Sequence, residues 1–230
     1  MQLLFNKLNF SSLNKIITKH GKFLRTLQLF QNLSSTLVID RDIKLNSDDF
    51  YHYAGQKRCY FYVIDIRGQL HLENTKHRNF ASCLKDKLFL SFFYRNLRRF
   101  PDHKYKLNQQ QQEILVHIDR SEYFSPCGLE LNFVRCIDPF SALGFVDYDA
   151  STNDLVYSCN TREAFICSRL IVNHQNGRLY HPITALPQLK GEIGLLHPSL
   201  SQQFCDKISV DAEGVCHIYF NDQFHQIESR

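Results

Sequence analysis

Residues 124–138 constrain the fold most, because a tight-turn signal there runs straight into a strand pattern. Pro126 and Gly128 flank Cys127 as turn residues, and Leu129, Leu131 and Phe133 alternate with Glu130 and Asn132 at the period of a strand with one buried face. The same grammar recurs along the chain. Residues 59–73 read as a hairpin, in which Tyr60, Phe61, Tyr62, Val63 and Ile64 form a strand and Asp65, Ile66, Arg67 and Gly68 supply the turn. Gly68 is expected at positive φ. A second hairpin turns at Asn176 and Gly177, and a third runs from Val210 through Gly214 into Cys216, repeating the apolar-Asp-x-x-Gly turn of Ile64 to Gly68.

Helical patterns are fewer. One is expected from about Asn79, an N-cap residue, with Phe80, Cys83, Leu84, Leu88 and Phe92 on its buried stripe and Phe89, Phe93 and Leu97 widening it. Arg95, Arg98 and Arg99 suit its negative end and Pro101 stops it, so dipole complementation is the plain reading of these arginines and an anion or nucleic-acid site the sharper one. Another helix follows Pro198, carrying Leu200, Phe204 and Ile208. Gln109 to Gln112 read as a polar loop insertion, Ile114 to Ile118 as a strand, and the middle of the chain as a meander through Phe145, Leu155 and Phe165, turning near Asn153 and Asn160. The expected class is α+β: antiparallel hairpins and meanders each packed with a helix, in one domain over 50–230 with two related sub-halves, 58–150 and 151–230.

The net charge of +4 divides unevenly. Residues 1–39 carry Lys7, Lys15, Lys19, Lys22 and Arg25 and no acid; removing those five from the 27 basic residues leaves 22 against 23 acidic ones. The body therefore has no basic bias toward nucleic acid. Residues 1–45 read as a mitochondrial presequence, since 1–39 are acid-free and apolar at helical spacing before Asp40 and Asp42 mark the shift toward the fold, although a basic amphipathic helix on an anionic surface shares that composition. No apolar run approaches the roughly 18 residues that a membrane-spanning helix needs. Eight cysteines are spread without a C-x-x-C pair and read as reduced thiols.

Chemistry could reside in several places. Cys127 in its turn would be a nucleophile if His181 or His117 served as base, while a packed cysteine is the plain alternative. Cys127, Cys136, Cys159 and His181 would bind metal only if the fold assembled them, and no metal or cofactor is expected. On a regular strand Glu130 and Arg135 point to opposite faces, so the carboxylates of Glu130 and Asp138 would flank a ligand or Arg135 would pair with an acid on a neighbouring strand. No Gly-rich phosphate loop, G-x-S-x-G or H-E-x-x-H occurs. The candidate binding residues are Cys127, Glu130, Asn132, Arg135, Asp138, Tyr180 and His181.

Five segments carry a family resemblance in order: Tyr60-Phe61-Tyr62, Asp65-x-x-Gly68-Gln69-Leu70-x-Leu72, Asn79-Phe80-x-x-Cys83-x-Lys85-Asp86, Ser125-Pro126-Cys127-Gly128-x-Glu130-x-Asn132-Phe133-x-Arg135-Cys136-x-Asp138 and Asn176-Gly177-Arg178-Leu179-Tyr180-His181-Pro182. Over about 58–205 the chain resembles a family of unknown function whose vertebrate member is a chromosome 8 open reading frame product. The resemblance implies a small soluble protein, mitochondrial in animals, with no assigned activity; Leu129 and Leu131 stand where the family has charged residues, which weakens an anion-binding role for that turn. In order of elements the chain is also similar to a bacterial family with a repeated α+β motif and a suggested ligand-binding or signalling role, an analogy of fold alone. The expected function is a non-enzymatic protein of the mitochondrial matrix that binds a protein or small-molecule partner. The alternative is a matrix enzyme using Cys127 or the Glu130 and Asp138 carboxylates.

Overall fold

Turn chemistry shapes the first hairpin. The computed structural model describes residues 45–102, 105–115, 121–157 and 160–230, so residues 1–39, His117 and Cys159 lie outside it. Helix α1 (Asp48–Gln56) is capped by Ser47, whose side chain accepts from the Phe50 N–H, with Asp48 and Asp49 suiting its positive pole. Strands β1 (Cys59–Ile64) and β2 (Leu70–Leu72) then pair antiparallel. Asp65 Oδ1 accepts the N–H groups of Arg67 and Gln69, each at 2.8 Å, and Gly68 takes φ +72°. Only glycine adopts that φ without steric cost.

Helix α2 (Lys87–Asn96) starts later than Asn79. Asn79 spends its Oδ1 on the N–H groups of Ala81 and Ser82, closing a tight turn, and Asp86 caps the helix by accepting from Phe89 N–H at 2.8 Å. The new start resets the phase. Leu90, Phe93 and Tyr94 face inward, while Phe80, Leu88 and Phe92 of the expected buried stripe are 69, 84 and 52% exposed. Arg98 and Arg99 form strand β3 (Arg98–Arg99) instead of a last helical turn.

The polar tract is helical, not a loop: α3 (Gln109–Leu115) contains it. Asn108 Oδ1 accepts from Gln111 N–H at 2.8 Å and Gln111 Oε1 accepts from Asn108 N–H at 3.1 Å, a reciprocal capping box. Ile114, fully buried, therefore belongs to a helix and not to a strand; Val116 to Ile118 lie outside the described residues.

Strands β4 (Tyr123–Cys127) and β5 (Glu130–Cys136) are joined by Gly128 and Leu129, with Gly128 at φ +65°. A two-residue loop with its first residue at positive φ matches the twist of the flanking strands. Leu129 is exposed at this tip, whereas Leu131, Asn132, Phe133 and Val134 are all buried. Both faces of β5 are covered, unlike the one-faced strand expected. The sheet order β2-β1-β5-β4-β3 explains this, since β5 lies centrally and pairs parallel to β1. Phe61, Phe124, Leu131 and Phe133 pack with Ala54 of α1 and Ile114 of α3 on one face. On the other, Tyr62 meets Phe93 of α2 at 5.3 Å between ring centroids.

A second sheet region begins with the meander β6 (Ser141–Asp149), β7 (Asp154–Tyr157) and β8 (Arg162–Ala164), turning at Asn153 and Asn160, both at positive φ. After β9 (Ile171–Val172) and β10 (Leu179–Pro182), strand β11 (Ile193–Leu196) pairs parallel to β6. Helix α4 (Pro198–Cys205) opens at Pro198 as expected but stops short of Ile208, which begins strand β12 (Ile208–Val210); β13 (Cys216–Phe220), β14 (Gln223–Gln226) and β15 (Glu228–Ser229) follow. The class is α+β, with antiparallel hairpins packed against helices, as expected; the parallel pairs β1 with β5 and β6 with β11 are additional.

Two compact units result. The larger holds the described residues up to Phe165 together with His181–Leu200, and includes both the five-stranded sheet and the β6 to β8 meander with β11. The smaller holds Ile166–Tyr180 and Ser201–Arg230. In it β9 pairs antiparallel to β10 and parallel to β15, and β12, β13 and β14 form a three-stranded antiparallel sheet. Its Asp211 turn repeats the Asp65 turn bond for bond: Asp211 Oδ1 accepts from Glu213 and Val215 N–H, and Gly214 sits at φ +87°. The repeat extends to a histidine six residues on, His71 Nε2 lying 3.4 Å from Asp65 Oδ2 and His217 Nε2 2.9 Å from Asp211 Oδ2.

Candidate functional site

The β4–β5 hairpin gathers Cys127, Glu130 and Asn132. Cys127 Sγ lies 3.6 Å from Ser125 Oγ, which donates to the Phe93 carbonyl at 2.7 Å, and Asn132 Nδ2 donates to the Ser125 carbonyl at 3.0 Å. Burial pushes the Cys127 thiol up, and the opposing hydrogen bonds from Ser125 and Asn132 leave it above its ordinary value. An activated nucleophile needs the opposite shift. Glu130, opposite Cys127 in the register, is half-buried at the hairpin end.

The remaining candidates have other partners. Arg135 forms an ion pair with buried Glu73, just past β2, and Glu73 Oε2 accepts from Tyr51 OH at 3.0 Å. Burial, then the charge of Glu73, pushes the Tyr51 hydroxyl up to about 12. Asp138, beyond the end of β5, accepts from Phe140 N–H at 2.9 Å. Tyr180, in the smaller unit, accepts from Asn176 Nδ2 at 2.8 Å. His181, in the larger unit, has Phe145 and Phe165 rings against its own, 6.0 and 5.6 Å away between centroids. A Ser82–His71–Asp65 chain also exists, with Ser82 Oγ 3.5 Å from His71 Nδ1, but that hydroxyl already donates to the His77 carbonyl at 2.8 Å and accepts from Asn79 N–H at 2.9 Å. Among the described residues no three His, Cys, Asp or Glu side chains group as metal ligands.

A cleft of about 340 Å³ lies elsewhere in the larger unit, and none of the seven candidates lines it. The Asp65 turn contributes Arg67, Gly68 and Gln69; the segment before α2 contributes Phe80, Cys83, Leu84 and Lys85. Lys87, Leu90 and Tyr94 come from α2, Val146 from β6, and His197 and Ser199 from the chain after β11. Local bonds hold these walls together. Leu84 N–H donates to the Leu70 carbonyl at 2.8 Å, and His197 N–H to the Phe145 carbonyl at 2.8 Å.

Its interior is apolar and its rim basic. Leu70, Leu90 and Tyr94 are buried, whereas Arg67, Lys85 and Lys87 are exposed, with Lys85 Nζ 4.1 Å from the Phe80 ring centroid. No Asp or Glu is among the described residues that line it. Burial, then the Arg67 guanidinium, pulls the His197 imidazole below its ordinary value against a smaller opposing effect of Asp65. His197 is thus a neutral hydrogen-bonding group at neutral pH, its Nδ1 2.7 Å from Ser199 Oγ. Gln69 has its buried Oε1 without a hydrogen-bond donor among the described residues. In shape and charge the lining is complementary to an apolar body with an anionic end and a polar hydrogen. One part of it had a signal in sequence, the Asp-x-x-Gly turn that carries Arg67; the rest comes from α2 with the segment before it, β6 and the chain after β11.

Residues 51–230 match a family described as a domain of unknown function, DUF4505. Among solved structures, the crystal structure of a DUF1285 family protein from Shewanella baltica is similar at 16% identity, covering 63% of this chain and 89% of that chain, with a TM-score of 0.39.

Proposed function

We propose that this chain, which belongs to the DUF4505 family, is a non-enzymatic binding protein of the mitochondrial matrix whose cleft takes a small amphipathic anion. One observation carries the ligand class: Arg67, Lys85 and Lys87 rim an apolar cleft that no described Asp or Glu lines. A carboxylate or phosphate at that rim meets positive charge with no carboxylate in the lining against it, while Leu70, Leu84 and Leu90 remove its apolar body from water. The volume lies near the lower end of ligand pockets, which suits a short acyl chain or a single substituted ring. The matrix assignment rests on the acid-free, lysine-bearing residues 1–39.

Thermal unfolding with a series of short-chain carboxylates and the matching neutral alcohols tests the ligand class. Binding at a hundredfold excess over Kd stabilises the fold by about 2.7 kcal/mol, which reads as a clear rise in Tm. Carboxylates are expected to produce it and alcohols of equal length are not; Lys85→Ala with Lys87→Ala should remove most of the rise. Equal shifts for both series would sink the reading. A reporter fused to residues 1–45 tests the address, and diffuse cytosolic signal would refute it.

A further inference from the structure

The apolar stripe expected in the core at the start of α2 is on the outside. Leu88 is 84% exposed and Phe92 52%, and as an i, i+4 pair they share one face of the helix. Phe80, just ahead of the helix, is 69% exposed. The helix already buries Leu90, Phe93 and Tyr94, so its outward side chains do not contribute to the core. Exposed apolar side chains sharing a helix face, as Leu88 and Phe92 do, suit an interaction face.

The charges around it are mostly basic, three cations against the one carboxylate of Asp86. Lys85 and Lys87 precede Leu88, and exposed Arg95 follows Phe92 at i+3. The intervening acid, Asp86, is engaged in capping the helix. We propose that this face docks peripherally on an anionic lipid bilayer, with Leu88, Phe92 and Phe80 entering the interface and Lys85, Lys87 and Arg95 at headgroup level. Charge complementarity selects this occupant. A second copy of the chain would bring the same cations to the face, and residues 1–39 of this chain carry only basic charges. A short helix with an apolar face flanked by Lys and Arg is suited to lie in the plane of an anionic surface. Among the described residues no helix is long and apolar enough to cross a membrane, so the contact is with the surface. Phe80, Lys85 and Lys87 also line the cleft, whose mouth then opens at the lipid.

Sedimentation of the full chain with phosphatidylcholine vesicles, and with mixed phosphatidylcholine–phosphatidylglycerol vesicles, tests this without any cleft ligand. The protein should pellet with the mixed vesicles only, and release in high salt. Leu88→Asp with Phe92→Asp should abolish pelleting. Arg95→Glu, away from the cleft, should weaken it roughly fivefold or more, the factor contributed by one basic residue at such a surface. Soluble carboxylate binding, read by thermal unfolding, should persist in the double variant; a wild type that binds carboxylates but not vesicles overturns this inference alone. Equal pelleting with neutral vesicles, pelleting unaffected by the double substitution, or a dimer that this substitution dissociates would each overturn it too.

Discussion

Gly68 and Gly144 meet backbone to backbone: a β-carbon on Gly68 would lie 2.8 Å from the Gly144 Cα, and one on Gly144 2.7 Å from the Gly68 Cα. This contact seats the Asp65 turn against β6 and so fixes one wall of the cleft. Gly68→Ala meets both a backbone clash and a φ of +72°, whereas Gly128→Ala meets only a left-handed φ, with nothing within 4 Å of its added carbon. The expected costs are about 3 kcal/mol for Gly68→Ala and about 1 kcal/mol for Gly128→Ala. Urea unfolding of the two variants separates these outcomes; equal losses would mean that the glycine contact adds nothing.

Glu163 of β8 is almost fully buried and serves as a hub. Its carboxylate accepts from Tyr157 OH at 2.6 Å, Thr184 N–H at 2.7 Å, Ala185 N–H at 2.8 Å and the Thr184 hydroxyl. Burial pushes its pKa up, and these donors outweigh burial and hold it below the ordinary carboxylate value. A group with a depressed folded pKa stabilises the fold above its unfolded pKa and loses that contribution as pH falls through the folded one. Glu163→Gln should therefore cost roughly 2 kcal/mol at neutral pH and make the acid limb of a stability–pH curve shallower. An unchanged acid limb would show that Glu163 does not govern acid unfolding.

The turns were legible in sequence because their chemistry is local. Asp65 and Gly68, or Asn176 and Gly177, contain within a few residues the acceptor and the positive φ that the turn requires. The start of α2 was not, because Asn79 and Asp86 are both good caps and only the side-chain bonds of the folded turn decide between them. The capping box of Asn108 and Gln111 is local too, but a run of four glutamines has no apolar periodicity to mark a helix. The parallel pairing of β1 with β5 and the convergence of Arg67, Lys87, Val146 and His197 on one cleft depend on long-range register, for which no local pattern stands. Arg135 does pair with an acid, but with Glu73 just past β2, which does not neighbour β5, and not with one on an adjacent strand; only the folded sheet brings the two together.

Cys127 should react slowly. Its thiol is raised by burial, and the Ser125 and Asn132 contacts do not reverse that, so at neutral pH the thiolate fraction is below that of a free cysteine. Iodoacetamide labelling followed by peptide mass spectrometry should show Cys127 modified more slowly than free N-acetylcysteine, with the rate climbing only in alkaline solution. Labelling faster than the free thiol would restore the catalytic reading of the hairpin.

Binding of the proposed carboxylate in the cleft should depend on pH through His197. Without ligand, burial and Arg67 favour its neutral form, while Asp65 opposes them and Ser199 lies at hydrogen-bond distance from its Nδ1. A bound carboxylate places negative charge against the imidazole and favours the protonated form, so proton and ligand binding reinforce each other. Affinity for a short-chain carboxylate should then rise as pH falls from about 8 to about 6, where such a ligand stays ionised. The gain approaches about tenfold for each unit by which the ligand raises the His197 pKa. Titration calorimetry at both pH values checks the slope, and His197→Gln, which keeps a neutral hydrogen-bonding group, should flatten it. A slope that survives in that variant would assign the proton to another group.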